Sequence, residues 1–411
     1  TDPLRLYFIT QPKKEMKIKS IIPLFAIILL GSNCLSAQSV DFNTIVDSIA
    51  ANNPDLHAGR LKTEGEIKAI ASDNNLADPE LDFTHQWGQE GIGNKWSIGV
   101  TQSFEWPGVY SVRARRMNAE AEALRLQSDV QASEMRLQIA EALVDLVYQK
   151  KLVDLHQDML DRIDSMIAVS NRGLDRGEVS ILDLNIIKLQ RIEASRSLNE
   201  AVSGLTEATA TLKALNGGAD CKNLTAALTD FPDTPLLPLD SYIESAAENN
   251  PVIRYNDALS RAEQLRISTL RRSYLPGFSI GYNHEYEIGD HFNGLSVGLT
   301  LPVFSNRKKI PAAEAQQLAL QAESEASRLA AESQITRDYK IILQLDNELR
   351  EYSTVLSDKD NMRLLSKALN AGQISILDYF SRAEYFLNAQ AAYLEAQRKR
   401  AQSMARLSVW R

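Results

Sequence analysis

The chain is written twice, and that duplication limits its folds more than any other feature. Ser48–Pro54 reads SIAANNP and Ser245–Pro251 reads SAAENNP, an offset of 197, which Pro79 and Pro276 keep. Ser97–Thr101 (SIGVT) matches Ser296–Thr300 (SVGLT) at an offset of 199. Gly177 with Ser180-Ile181-Leu182-Asp183 matches Gly372 with Ser375-Ile376-Leu377-Asp378 at 195. Matches in one order along two halves mark a tandem repeat of supersecondary units. Residues 38–230 form the first repeat, the Pro-rich stretch 231–238 a linker, and 239–411 the second repeat.

Within each repeat the predicted order is helix, two strands, a very long helix, a tight turn and another helix. Residues 41–77 read as helices broken at Asn53-Pro54, because the residue before proline disfavours the α region. From about 110 to 170 there is neither proline nor glycine. Leu137, Ala140, Val144, Val147, Leu152, Leu155, Met159, Ile163 and Met166 recur there at steps of mostly three and four, a stripe that faces another helix. Residues 310–367 repeat the behaviour after Pro311, a residue suited to a first helical turn.

The strands decide the class. In the hairpin at 80–104, Leu81, Phe83, His85 and Trp87 alternate with Asp82, Thr84 and Gln86. Its second strand sets Trp96, Ile98, Val100 and Phe104 against Ser97, Gly99, Thr101 and Ser103. The hairpin at 277–304 sets Phe278, Ile280, Tyr282, Tyr286 and Ile288, then Leu295, Val297, Leu299, Leu301 and Val303, against small polar residues. Gly/Asn turns are expected at 88–94 and 289–294. Strands of about ten residues with one large apolar face match membrane β-strands. Phe83, Trp87, Trp96, Phe278, Tyr282 and Tyr286 are the expected lipid-facing residues. A single such hairpin is better read as packed on a soluble core; four strands of one pattern, with an export signal and flanking aromatics, reverse that preference. Four strands cannot close a barrel, since the smallest membrane barrels have about eight and an open edge in lipid leaves backbone groups unpaired. The chain must share a barrel with copies of itself, as eight strands from a dimer or twelve from a trimer.

The N-terminal end predicts export. Met16, Lys17 and Lys19 lead into an apolar run from Ile21 to Leu30, too short to span a bilayer, and Ser36-Ala37 precedes a plausible cleavage point at Gln38. Residues 1–15 precede Met16 and are set aside with the leader as 1–37. Cys34 has no leucine three positions upstream, which argues against lipidation. With the leader gone only Cys221 remains, so no intrachain disulfide is possible. Removing five of 45 basic and two of 53 acidic residues leaves a net charge of −11, which argues against nucleic acid as a partner.

Two segments carry a resemblance to a known family. They are Arg176-Gly177-Glu178-Val179-Ser180-Ile181-Leu182-Asp183, echoed at Ala371–Asp378, and Gly99-Val100-Thr101-Gln102-Ser103-Phe104-Glu105-Trp106-Pro107-Gly108. Essentially all of the chain after the leader resembles the TolC-like outer-membrane efflux factors, and the second segment is similar to the CzcC/CusC-type heavy-metal subgroup. The resemblance implies a mainly α fold with a membrane β-barrel portion: a homotrimer with a twelve-stranded barrel in the outer membrane and a periplasmic α-helical tunnel. It implies a passive duct, with heavy-metal cations as a candidate cargo, served by a membrane-fusion adaptor and an inner-membrane pump of the RND type. It also places tip turns at 173–180 and 368–375, with Gly177, Ser180, Gly372 and Ser375 near the adaptor contact. Asp183 and Asp378 fall where the archetype has gate aspartates, although near a helix start an Asp also simply suits the helix dipole. The archetype's locking Arg and Tyr are replaced by Ile374 and Leu369, so Arg172, Asp175, Arg176 and Lys367 are the substitute candidates.

No enzyme constellation is present, so neither catalysis nor a cofactor is expected. Gly91-Ile92-Gly93 lacks the third glycine and the strand-to-helix setting of a dinucleotide site. His85 and His284 correspond between repeats on the apolar strand faces, which suits packing rather than metal binding. The rival reading, a periplasmic coiled-coil adaptor, leaves the duplication and the four strands without a role.

Overall fold

A computed structural model describes residues 41–90, 93–177, 179–302, 308–356 and 361–409. The leader, Cys34, Gly91-Ile92, Glu178 and Val303 lie outside the described residues. The first half runs α1 (Phe42–Asn52), α2 (Pro54–Ser72), β1 (Glu80–Trp87), β2 (Asn94–Phe104), α3 (Pro107–Asp175), α4 (Ile181–Leu215) and a single turn, α5 (Lys222–Thr225). The second half runs α6 (Leu239–Asn249), α7 (Pro251–Arg272), β3 (Gly277–Glu287), β4 (Asp290–Thr300), α8 (Lys309–Leu356), α9 (Asn361–Asn370) and α10 (Ile376–Ser408). The helix expected over 310–367 is found as α8 and α9, and residues 357–360 between them lie outside the described residues.

The Asn-Pro motif of each half acts as a helix start. Pro54 and Pro251 stand at the first helical position, where the missing N–H is no loss. The side chain of Asn53 accepts from the backbone N–H of Asp55 and Leu56, both at 3.0 Å, and that of Asn250 accepts from Val252 (2.8 Å) and Ile253 (3.4 Å). Both asparagines are buried, and Asn53 also donates to Leu215 O at 2.9 Å, pinning the α1–α2 corner to the end of α4.

Helix α3 is 69 residues, which at 1.5 Å per residue is about 100 Å. The predicted stripe is too narrow around its middle, where Ile139, Leu143 and Leu146 are buried as well as Ala140, Val144 and Val147. The cause is that α3 packs against several neighbours, among them α4, α1 and α10. Here α1 supplies Ile45, Val46 and Ile49 to a core with Leu212 of α4. The second half builds a counterpart from Tyr242 and Ala246 of α6, Ile335 and Ile342 of α8, and Met404 and Leu407 of α10.

The four strands form one antiparallel sheet in the order β1-β2-β3-β4, so the two halves join through β2 and β3. Two expectations at the second hairpin are corrected. The turn is not at 289–294 but is the two-residue Ile288-Gly289, with φ of 48° and 99°. Positive φ at both central residues is the type I′ requirement, whose twist matches that of the flanking strands. Residues 290–294 are therefore strand. At the far end β4 stops at Thr300 ahead of Pro302, which has no N–H for a ladder, so Leu301 lies outside the strand.

Candidate functional sites on the sheet and at the helix turns

Opposed residues in an antiparallel ladder share a face. Through the pairs Phe83↔Ile98, Ile98↔His284, Val100↔Tyr282, Phe104↔Phe278, Tyr282↔Leu295 and Ile280↔Val297, the large apolar residues of all four strands fall on one face, except Phe292, which stands opposite Glu285 on the other. The lipid-facing candidates Phe83, Trp87, Trp96, Phe278, Tyr282 and Tyr286 are all on it. Trp96 stacks on Tyr286 (ring centroids 5.9 Å) and Phe104 on Phe278 (5.3 Å). Trp87, Leu295 and Val297 are 81%, 82% and 80% exposed, so among the described residues nothing covers that face at these positions.

Apart from Phe292, the opposite face is small and polar. It carries Glu80, Asp82, Glu285, Glu287 and Asp290, and Lys95 pairs with Glu285 and, at 3.3 Å, with Glu287. Among the described residues β1 and β4 each lack a second strand partner, leaving two open edges.

Both helix turns lie at one end of the helical part. There Ile163 of α3 and Ile187 of α4 are buried against Tyr379, Phe380 and Ala383 of α10. Gly177 and Gly372 take φ of 73° and 68°, left-handed values at which glycine carries no Cβ penalty. The Gly177 N–H donates to Leu174 O and the Gly372 N–H to Leu369 O, both at 3.0 Å.

The serines after the glycines are N-caps, but unequal ones. The Ser180 hydroxyl accepts from Leu182 N at 3.0 Å. Ser375 forms a full capping box: its hydroxyl accepts from Asp378 N (3.1 Å), while the Asp378 carboxylate accepts from the Ser375 N–H (3.3 Å) and hydroxyl (2.7 Å). The hydroxyl, then the backbone N–H, hold the Asp378 carboxyl below its ordinary value. Ser-x-x-Asp is the local signal for such a box, and sequence reasoning did not use it.

The gate candidates are not gathered into one cluster. Asp183 and Asp378 each lie in the first turn of their own helix, α4 and α10. Arg172 donates its Nε–H to Ala168 O at 3.3 Å, one turn back on α3. Asp175 ends α3, Arg176 is its C-cap residue, and Lys367 lies in the last turn of α9. Leu369 and Ile374 pack on the Tyr379 core, so those two positions contribute apolar contacts.

Sequence reasoning missed several polar links between helices. Arg191 of α4 pairs with Asp164 of α3 at 2.5 Å. Arg398 of α10 reaches Asp145 of α3 at 3.4 Å and lies over the Tyr148 ring, and Arg406 meets Glu141 at 2.8 Å. Burial is the main cause that lifts the Asp145 carboxyl above its ordinary value, with Arg398 opposing. No periodicity signals these pairs, because their partners lie 27, 253 and 265 residues apart. Among the described residues no group of three or more His, Cys, Asp or Glu is placed to hold a metal ion, and no helix is long and apolar enough to cross a membrane.

No family model matches the chain. A curated relative, the cobalt-zinc-cadmium resistance protein CzcC of Cupriavidus metallidurans, is 22% identical over 201 residues. That match covers 48% of each protein, so it spans about half the length of the relative. Among solved structures, a membrane protein from Pseudomonas aeruginosa has a TM-score of 0.72 at 16% identity, covering 90% of this chain and 89% of its own. The outer-membrane channel OprN gives 0.71 at 13%, with 90% and 89% covered. CusC, whose structures concern folding and transmembrane channel formation, gives 0.67 at 13%, with 90% and 91% covered.

Proposed function

We infer that this chain, which has the fold of the TolC-like outer-membrane efflux channels, is the outer-membrane channel subunit of a tripartite efflux system. The observation that carries the reading is the sheet: one uncovered apolar face, one polar face and two open edges. A four-stranded sheet of that kind is stable in a bilayer only as part of a closed ring. Three copies make a twelve-stranded barrel, with Phe83, Trp87, Trp96, Phe278, Tyr282 and Tyr286 toward lipid. The polar face then lines the passage, and its excess of carboxylates over Lys95 favours cations.

Each repeat supplies one hairpin to the barrel and one helix pair to a periplasmic tunnel. Leu182, Leu189 and Ile192, exposed along α4, offer an apolar strip to a neighbouring subunit. The turns at Gly177–Ser180 and Gly372–Ser375 meet the adaptor, and Asp183 and Asp378 form acidic rings about the axis. Substrate passes without catalysis and without a cofactor, driven by an inner-membrane pump of the RND type. The likeness to CzcC and CusC favours heavy-metal cations as cargo. A coiled-coil adaptor would leave the sheet without a role.

Membrane fractionation followed by planar-bilayer recording tests the reading. The expected result is recovery from the outer membrane as a trimer with cation-selective conductance, and Asp378→Asn should weaken cation preference or cation block. Recovery as a soluble periplasmic monomer would overturn the channel assignment, and an unchanged Asp378→Asn recording would remove the acidic ring alone.

A further inference from the structure

The two-residue turn at Ile288-Gly289 has a consequence for the apolar face beside it. Because β4 begins at Asp290, His291 stands opposite Tyr286 and Asn293 opposite His284. His284 and His291 are thereby diagonal neighbours, with stacked rings 5.4 Å apart between centroids. Nε2 of His284 lies 3.4 Å from Nδ1 of His291.

His284 is already oriented. Its Nδ1 is 2.8 Å from Asn293 Oδ1, and the Tyr282 hydroxyl donates to that same oxygen at 2.7 Å. A carboxamide oxygen can only accept, so the His284 proton sits on Nδ1 and the Nε2 lone pair points at His291. A histidine that gives its second N–H to an oxygen is the usual support of a metal-bound imidazole. Aromatic rings flank both histidines, Trp96 against His284 at 5.5 Å and Tyr286 against His291 at 5.2 Å. Two imidazole nitrogens 3.4 Å apart, each about 2.05 Å from a zinc ion, subtend about 110° at the metal, close to tetrahedral.

We propose that His284 and His291 form a two-nitrogen site for a divalent transition-metal cation, Cu(II) or Zn(II), on the apolar face beside the β3–β4 turn. Imidazole ligands suit both ions, whereas Ca(II) and Mg(II) require oxygen donors. In the metal-free protein the His291 Nδ1–H faces the His284 lone pair. The Nε2–H tautomer of His291 presents its Nδ1 lone pair to the ion. Water completes the coordination. The ion ties strand β4 to β3 next to their turn. The site depends on the register of one hairpin and not on the channel reading, and it is separate from the polar face.

The full chain, purified in detergent, is titrated with CuCl2 and followed by electron paramagnetic resonance. One copper per chain is expected, with hyperfine coupling to two nitrogens. His284→Ala and His291→Ala should each abolish saturable binding. His85→Ala should leave it unchanged, and Asn293→Ala, which frees the ring without removing a ligand, should weaken it about tenfold. On the unaltered protein, copper should protect His284 and His291, but not His85, from diethyl pyrocarbonate. Unchanged copper affinity in His291→Ala, or equal modification of His284 and His291 with and without copper, would overturn the site.

Discussion

The two halves of the chain repeat one order of elements but secure their corners differently. In the first half the buried Asn53 caps α2 and also reaches Leu215 O, whereas its counterpart Asn250 caps α7 and, among the described residues, makes no second bond of that kind. At the helix turns the inequality runs the other way: Ser375 shares a reciprocal box with Asp378, and Ser180 holds one amide by its hydroxyl. A duplicated plan therefore keeps its backbone requirements, a capped Asn-Pro start and a glycine at positive φ, while the side-chain supports drift apart. Each half is reinforced where the other is plain.

The sheet is where the halves should be most alike. Ile98 and Val297 occupy matching positions on the same apolar face, although β2 lies inside the sheet and β4 at its edge. Ile98→Lys and Val297→Lys should each cost about 2–4 kcal/mol near the bilayer midplane and lower the yield of assembled oligomer by similar factors. Heat-resistant oligomer on gels is the readout. A large loss for one position and none for the other would break the equivalence.

The Asn-Pro corners should separate the halves. Asn250→Ala removes a cap worth about 1 kcal/mol. Asn53→Ala loses the same cap and deprives Leu215 O of a donor, adding about 1–3 kcal/mol. The first variant should lower the thermal midpoint, followed by circular dichroism, by clearly less than the second. Equal shifts would show that the Leu215 bond contributes nothing.

The smallest effect concerns acid. Bonds that hold the folded Asp378 carboxyl below its unfolded value stabilise the start of α10 above the unfolded value, and that stabilisation is lost as pH falls through the folded one. Ser180 caps with a hydroxyl, which does not titrate. Amide exchange, corrected for its intrinsic pH dependence, should speed up at 376–379 on acidification and stay level at 181–184. Parallel acceleration at both turns would erase the distinction.

The duplication, the alternation of the four strands, the proline-led helix starts and the glycine turns were legible in the chain because each is a local signal, a period of two or 3.6 or a cap spanning three residues. The proposed need for other copies to complete the sheet rests on the same local pattern, since four strands leave two edges. The site at the helix turns was legible only as positions. Ser375-x-x-Asp378 could be read as a cap, but that Leu369 and Ile374 pack against Tyr379, and that Arg172 folds back on its own helix, depends on contacts between segments distant in sequence.

Tertiary structure alone decided the join between halves at β2–β3, the width of the buried face of α3, and the register that sets His291 beside His284. Register is chosen jointly by the turn dihedrals and the partner strand, and a shift of one residue would send every side chain to the other face. No window of sequence contains both terms, so the chain states its faces and repeats by itself, and folding settles which distant residues meet.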